Sequence, residues 1–289
     1  MSVAAVIGYD GSPAANAAID AGGLLFPNAR AWITYLWTPP FTSGKLRKRV
    51  NAVARTLDEL IEMIEREGER EAERLVAMGV TLARAGGWDA EPLVKRTWAA
   101  EGLGLAQLAE QRHADLVLVG SRGLGGTNAI LGSVSDLVVH HAASPVLVVP
   151  HPLLAAEYDA LADGPVLVGW DGSAGAETAL TAAEQQFLQR DVLLVSVDEG
   201  GSAGAPADPQ GGKREILRLK SGRGSHARAI ADPLIACVSE RKASVMVMGS
   251  RGRSAVREIL LGSVVRATLR NAHRPVMVVP RPPSARQQD

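Results

Sequence analysis

The chain has 289 residues, 46% apolar and 21% charged, the balance of a soluble globular protein long enough for two domains. Lysine plus arginine equals aspartate plus glutamate at 31 each, so no net charge draws the chain to nucleic acid, and no basic run forms a binding patch. Cys237 is the single cysteine, which excludes an internal disulfide, and no stretch approaches the roughly 18 apolar residues of a membrane span.

Met1-Ser2-Val3 runs straight into a strand without a basic region or cleavage pattern, so the expected location is cytoplasmic. Val3–Gly8 is a continuous apolar run, which predicts a strand buried on both faces. Tyr9-Asp10-Gly11-Ser12 follows, and Ser12 with Pro13 marks the start of a helix over about Pro13–Gly22. Ala31–Trp37 predicts the second strand and Thr38–Lys48 a loop. The longest predicted helix runs from about Asn51 to Met78, with Val53, Leu57, Leu60, Ile61, Ile64, Leu75 and Val76 at intervals of three and four. Its charge run Glu65–Arg74 is expected to be a solvated face. Ala90–Arg96 predicts the third strand, Ala99–Arg112 a helix and Asp115–Gly120 the fourth strand. The glycine-rich stretch Gly120–Ser133 leads to a helix over Ser133–His141 and a fifth strand at Val146–Val149. This alternation predicts an α/β, doubly wound, parallel five-stranded sheet.

The order then repeats. Val166–Ser173 matches Val3–Ser12, Gly249-Ser250-Arg251-Gly252 matches Gly120-Ser121-Arg122-Gly123, and Pro275–Pro280 matches Pro145–Pro150. The period is too long for a solenoid, so the chain reads as a duplicated domain, 1–150 and 164–281, with a boundary near His151–Gly164. The stretch from Asp171 to Gly249 is 32 positions shorter than that from Asp10 to Gly120. The missing piece falls where the first half has its long helix. Gly200–Gly212 stands there and reads as a mobile loop. Loss of that helix is expected to uncover a sheet face that packs on another subunit or on the first half.

In an open parallel sheet, ligands bind beyond the carboxyl ends of the strands, where strand order reverses. Asp10 is placed there to accept a hydrogen bond from a base amino group or a ribose hydroxyl. Gly120 and Gly123 let backbone approach a phosphate, and Ser133 caps a helix whose N-terminal N–H groups attract an anion. Arg122 adds positive charge. A blander reading stands beside this one. Asp-Gly-Ser after a strand is a common turn, Asp10 then merely caps the next helix, and the glycines are tight loops.

These residues resemble the universal stress protein family, whose ATP-binding members carry Gly-x2-Gly-x9-Gly-Ser/Thr. Gly249, Gly252, Gly262 and Ser263 match that spacing in full. Gly120, Gly123, Gly132 and Ser133 match with eight residues in place of nine. The resemblance covers nearly the whole chain as a tandem pair and implies an adenine-nucleotide α-hydrolase-like fold in each half. By resemblance Asp10 and Asp171 contact adenine, Gly8 and Gly169 line the sites, and Ser121, Arg122, Ser250 and Arg251 belong to the phosphate loops. The implied cofactor is ATP, with Mg as an accompaniment. The implied assembly pairs Val146–Val149 with Val276–Val279 as an intrachain pseudo-dimer, with a homodimer as a further level.

Other chemistry finds less support. The sequence has no Gly-x4-Gly-Lys-Ser/Thr and no Gly-x-Gly-x-x-Gly after a strand. His140 and His141 are adjacent and cannot share a helix face, and His141 is expected to meet the last carbonyls of its helix. His113, His226 and His273 are expected to be structural, as is Cys237, and the tryptophans to serve packing. Asp136 is read as part of a Ser133-x-x-Asp136 capping pair. Arg266 takes its place in the second half, which is expected to hold phosphate more tightly there. The favoured function is an ATP-binding regulator with slow or no hydrolysis. The alternatives are a nucleotidyl-transfer enzyme and a ligand-free scaffold of the same fold.

Overall fold

The computed structural model describes residues 2–37, 44–121, 131–198, 216–252 and 261–281, without the side chains of 45–47. The first half contains β1 (Ala4–Gly8), α1 (Pro13–Leu25), β2 (Arg30–Trp37), α2 (Gly44–Val53) and α3 (Leu57–Ala85). It continues with β3 (Asp89–Arg96), α4 (Glu101–Gln111), β4 (Leu116–Gly120), α5 (Ser133–His141) and β5 (Val146–Val149). After α6 (Ala155–Asp163) the second half runs β6 (Val166–Gly169), α7 (Ala174–Gln186), β7 (Val192–Asp198) and β8 (Ile216–Lys220). It ends with α8 (His226–Glu240), β9 (Val245–Gly249), α9 (Ser263–Asn271) and β10 (Val276–Val279).

All ten strands join one sheet in the order β3-β2-β1-β4-β5-β10-β9-β6-β7-β8. Every described pairing is parallel except that of β5 with β10, where Val148 faces Val276 and Leu147 faces Met277. Each half is therefore a doubly wound five-stranded parallel sheet, with its order reversing beside its first strand. The apolar runs are buried on both faces for the expected reason, since helices cover both sides. Ala5, Ile7, Leu116 and Leu118 face one core with α1, α3, α6 and α7. Val6, Val117 and Val119 face the other with α4, α5, α8 and α9.

Several boundaries differ from the sequence reading. The loop read over Thr38–Lys48 gives way to α2 from Gly44, and 38–43 lie outside the described residues. The long helix starts at Leu57, not Asn51, because Thr56 and Glu59 form a capping pair. Thr56 Oγ1 accepts from Glu59 N–H at 3.1 Å, and Glu59 Oε2 accepts from Arg55 N–H at 2.8 Å. Helix α1 passes through Gly22 to Leu25, where only a glycine fits. A Cβ on Gly22 would lie 2.6 Å from Trp88 Cη2 and 2.7 Å from Leu118 Cδ2. The stretch read as the domain boundary, His151–Gly164, holds α6, which buries Ala160 and Leu161.

Among the described residues no helix stands between β7 and β8, and the outer end of that sheet face is polar. The strand residues paired on that face are Ser196 with Arg218 and Asp198 with Lys220, and Arg218, Asp198 and Lys220 are exposed. Only Ile216 of β8 on this face is apolar, and it is partly buried. Among the described residues this removes the reason for expecting a covering subunit. Residues 199–215, including the loop read at Gly200–Gly212, lie outside the described residues. Their number is smaller than the 29 residues of α3.

The halves share more than the β5–β10 seam. Phe26 and Phe187, each the C-terminal cap of the helix after its half's first strand, pack at 5.1 Å between ring centroids. Arg274 is buried and donates to the Glu157 and Ala156 carbonyls of α6, at 3.1 and 3.5 Å. Cys237 is buried in α8, and burial is the main reason its thiol is pushed above the ordinary range. A thiol reagent is expected to label it in the denatured chain and to leave it unmodified in the native protein over the same time; equal labelling would contradict this burial.

Candidate functional site

Each half builds the same turn at the end of its first strand. Asp10 Oδ1 accepts from Ser12 N–H and Asp171 Oδ1 from Ser173 N–H, both at 3.0 Å. Gly11 and Gly172 sit at φ of 74° and 72°, which favours glycine. Ser12 Oγ then accepts from Ala15 N–H at 3.1 Å and Ser173 Oγ from Ala176 N–H at 3.2 Å, capping α1 and α7. Asp-Gly-Ser therefore forms the turn of the blander reading, but Ser12, and not Asp10, caps the helix that follows. The other oxygen of Asp171 faces the glycine loop, because a Cβ on Gly252 would lie 2.6 Å from Asp171 Oδ2.

The glycines at the ends of β4 and β9 permit close backbone contact with the next layer. A Cβ on Gly120 would lie 2.7 Å from the Ala14 carbonyl oxygen, and one on Gly249 would strike the Gly175 backbone. The loops that follow are closed at the base. Ser121 N–H donates to Val149 O at 2.7 Å and Gly132 N–H to Ser121 O at 2.8 Å. In the second half Ser250 N–H donates to Val279 O at 2.8 Å and Gly262 N–H to Ser250 O at 2.9 Å. Arg122 and Gly123 lie outside the described residues, as do 253–260.

The expected caps shift by one residue. Gly132 and Gly262 are the N-caps of α5 and α9, without a side-chain cap bond, and Ser133 and Ser263 are the first helical residues. Ser133 thus does not cap its helix, and no Ser133-x-x-Asp136 pair forms. Asp136 Oδ2 lies 3.7 Å from His140 Nδ1, and that same nitrogen is 2.7 Å from the Asp136 carbonyl oxygen. The histidine that meets a helix carbonyl is therefore His140, not His141. Backbone N–H groups at the start of α5 and α9 remain as anion donors.

These parts converge in the second half on a cleft of about 180 Å³. Gly169, Asp171, Arg251, Gly252, Gly262 and Ser263 line it, as the sequence spacing suggests. Val195, Val197, Ile230, Leu234 and Met248 give it an apolar wall, and His226 stands on its rim. None of these six was legible as a site residue, and His226 was expected to be structural. The signal available was position: Val195 and Val197 end the strand beside β6, and His226 opens the helix after the third strand. A cleft lined by apolar side chains, a carboxylate and the N-terminus of a helix is of the kind that takes a base and its phosphates.

The first-half crevice carries more negative charge. Glu101 at the start of α4 is pushed above the ordinary carboxylate range by partial burial and then by Asp10. Tyr35 is raised by burial and then by Glu101, Glu71 and Asp10. The sign for Glu101 follows from linkage. Its neutral form is favoured in the fold, so its contribution is most favourable below the unfolded carboxylate pKa and is lost as pH rises through the folded one. Glu101→Gln is expected to raise the thermal midpoint near neutral pH and to leave it unchanged near pH 4, at about the ordinary glutamate pKa. A gain of equal size at both pH values would show that charge is not the cause.

The family described as the universal stress protein family matches residues 4–150 and 164–280. A universal stress protein of Mycolicibacterium smegmatis is 33% identical over 190 residues, covering 58% of this chain and 62% of that protein. The match therefore spans less than two thirds of that relative's length. A universal stress protein of Mycobacterium tuberculosis is 30% identical over 236 residues, covering 73% of this chain and 77% of the other. The crystal structure of a universal stress protein from Archaeoglobus fulgidus aligns over 97% of this chain and 99% of its own with a TM-score of 0.65, at 20% identity, a likeness of fold.

Proposed function

The chain belongs to the universal stress protein family, and from that membership we propose that it is an ATP-binding regulator of a stress response with at most weak ATPase activity. The carrying observation is the second-half cleft, where Asp171, Gly249, Arg251, Gly252, Gly262 and Ser263 meet around an apolar wall. Adenine fits between Val195, Ile230 and Met248 with its amino edge or the ribose on Asp171. The phosphates lie at the Gly262 end, on backbone N–H groups with the α9 dipole behind them, and Arg251 adds charge. Mg²⁺ enters with the nucleotide. The first-half residues Gly8, Asp10, Gly120, Ser121, Gly132 and Ser133 form the counterpart crevice of a 1–150 domain beside a 164–281 domain. Hydrolysis is slow or absent, because backbone N–H groups bind phosphate and supply no base.

The protein is read as cytoplasmic; no described helix is long and apolar enough to cross a membrane. The antiparallel β5–β10 pairing supports reading the two halves as an intrachain pseudo-dimer, with a homodimer of whole chains as a further level. The test is to purify the protein without added nucleotide, denature it and identify what is released. ATP or ADP is expected. Nothing released, followed by no ATP binding in calorimetry, sinks the nucleotide reading and leaves the ligand-free scaffold. Gly262→Ala sharpens the test. A Cβ there meets nothing closer than Ser250 O at 3.5 Å, so the fold has room for it. The variant is expected to unfold at the wild-type temperature and to bind ATP at least tenfold more weakly, since the methyl stands where phosphate approaches the backbone. Undiminished ATP affinity would move the phosphates away from Gly262.

A further inference from the structure

The two crevices are copies in sequence but not in room. Gly8 and Gly169 hold the same place at the ends of β1 and β6. A Cβ on Gly8 would lie 2.8 Å from Leu105 Cδ2 and 3.2 Å from Val119 Cγ1. The space above Gly8 is already filled. At Gly169 the nearest atoms, from Met246 and Met248, stand at 3.7 Å. Leu105 is the fifth residue of α4 and is buried. Its counterpart, the fifth residue of α8, is Ile230, which lines the cleft instead of closing it.

They also differ in charge at matched positions. The residue that opens α4 is Glu101, and the residue that opens α8 is His226. The fourth residue of the helix after the glycine loop is Asp136 in α5 and Arg266 in α9. Asp10 acts on Glu101, and both act on Tyr35, so a phosphate brought to this end meets carboxylates. At the second-half cleft it meets His226 and Arg251. An imidazole offers an N–H donor even when neutral, whereas an ionised carboxylate offers only acceptors.

We propose that the chain takes one nucleotide, in the second half, and that His226 and Glu101 decide this. His226 donates an N–H to the phosphates at the rim of the cleft. Glu101 repels them from the first half, where Leu105 also closes the room above Gly8. The proposal rests on the nucleotide reading of the cleft, and its test separates the two. ATP and adenosine are titrated into the full chain, with stoichiometry read by equilibrium dialysis. The wild type is expected to saturate at one ATP per chain. His226→Glu, an exposed change, is expected to weaken ATP at least tenfold and adenosine less than twofold. Glu101→His together with Leu105→Ala is expected to admit a second ATP, and Glu101→His alone, which leaves the core intact, a weaker second one. Two tight equivalents in the wild type, or an ATP affinity that ignores His226→Glu, overturns the proposal and leaves the nucleotide reading standing. A single equivalent in both Glu101 variants overturns the role of Glu101. No binding of either ligand to the wild type overturns both readings.

Discussion

Gly249→Ala is expected to destabilise the protein by about 3 kcal/mol, the upper end for overpacking, and to abolish measurable ATP binding. The new Cβ would strike the Gly175 carbonyl, with the Gly175 carbonyl carbon 2.5 Å and the Gly175 Cα 2.9 Å away. These are backbone atoms, so no rotamer change relieves the clash. Gly175 has no freedom of its own, because a Cβ there would in turn strike the Arg251 carbonyl. The first turn of α7 is pinned by Ser173 Oγ and by the Asp171 turn, so β9 and α7 must separate as units. Separation moves Gly252 away from Asp171 and widens the cleft. At about 2–4 °C per kcal/mol for a chain of this order of size, the thermal midpoint should fall by roughly 6–12 °C. Gly120→Ala meets Ala14 in the same way and tests the first half without touching the second-half cleft. A Gly249→Ala protein with wild-type stability would mean that the close approach of β9 and α7 is absent in solution.

The strands were legible because a parallel strand covered on both faces needs an unbroken apolar run, and Val3–Gly8, Leu116–Val119 and Val146–Val149 supply one each; their spatial order was not. The doubling was legible because both halves keep the residues that cannot vary for steric reasons, such as Gly11 and Gly172 at positive φ. Helix α6 escaped notice because Pro152, Asp163 and Gly164 look like a linker, and it buries only Ala160 and Leu161. The break between α2 and α3 depended on a capping pair inside a continuous amphipathic pattern, which periodicity alone overrides. At the site, the turn aspartates and the loop glycines announced themselves. The rim and wall did not. Whether a helix residue such as Leu105 or Ile230 points into a crevice depends on how its helix docks on the sheet, and neighbouring positions of similar apolar character give no local sign of it. His226 looked isolated because its partners are distant in sequence. The anchor between the halves was invisible for the same reason.

That anchor is Arg190, between α7 and β7. Its Nη2 donates to Leu161 O at 2.8 Å, Ala162 O at 3.0 Å and Leu24 O at 3.1 Å, and its Nη1 to Gly164 O at 3.2 Å. The acceptors are carbonyls at the C-terminal ends of α1 and α6, where the helix dipole favours a cation and last-turn carbonyls lack intrahelical partners. One guanidinium therefore ties the first half, the connecting helix and the second half. Burial lowers its pKa and Asp163 acts in the opposite sense, yet a guanidinium stays charged at any pH the fold survives. Arg190→Met keeps the stem packed and removes every donor. Hydrogen bonds to a charged group contribute about 1.5–3 kcal/mol each. These four share two nitrogens and partial solvent, so the expected loss is about 3 kcal/mol in urea unfolding, not the sum. Arg190→Lys should recover a minority of it, because an ammonium cannot fork toward α1 and α6 together. The loss should also be local. Proteolytic cleavage within 151–164 is expected to speed up in Arg190→Met under conditions that leave the rest of the chain intact, since the C-terminal end of α6 loses its hydrogen bonds to Arg190 and Arg274 holds only its start. Arg190→Met within about 0.5 kcal/mol of wild type, the range of an ordinary surface change, would mean that the β5–β10 seam and the Phe26–Phe187 contact hold the halves without it.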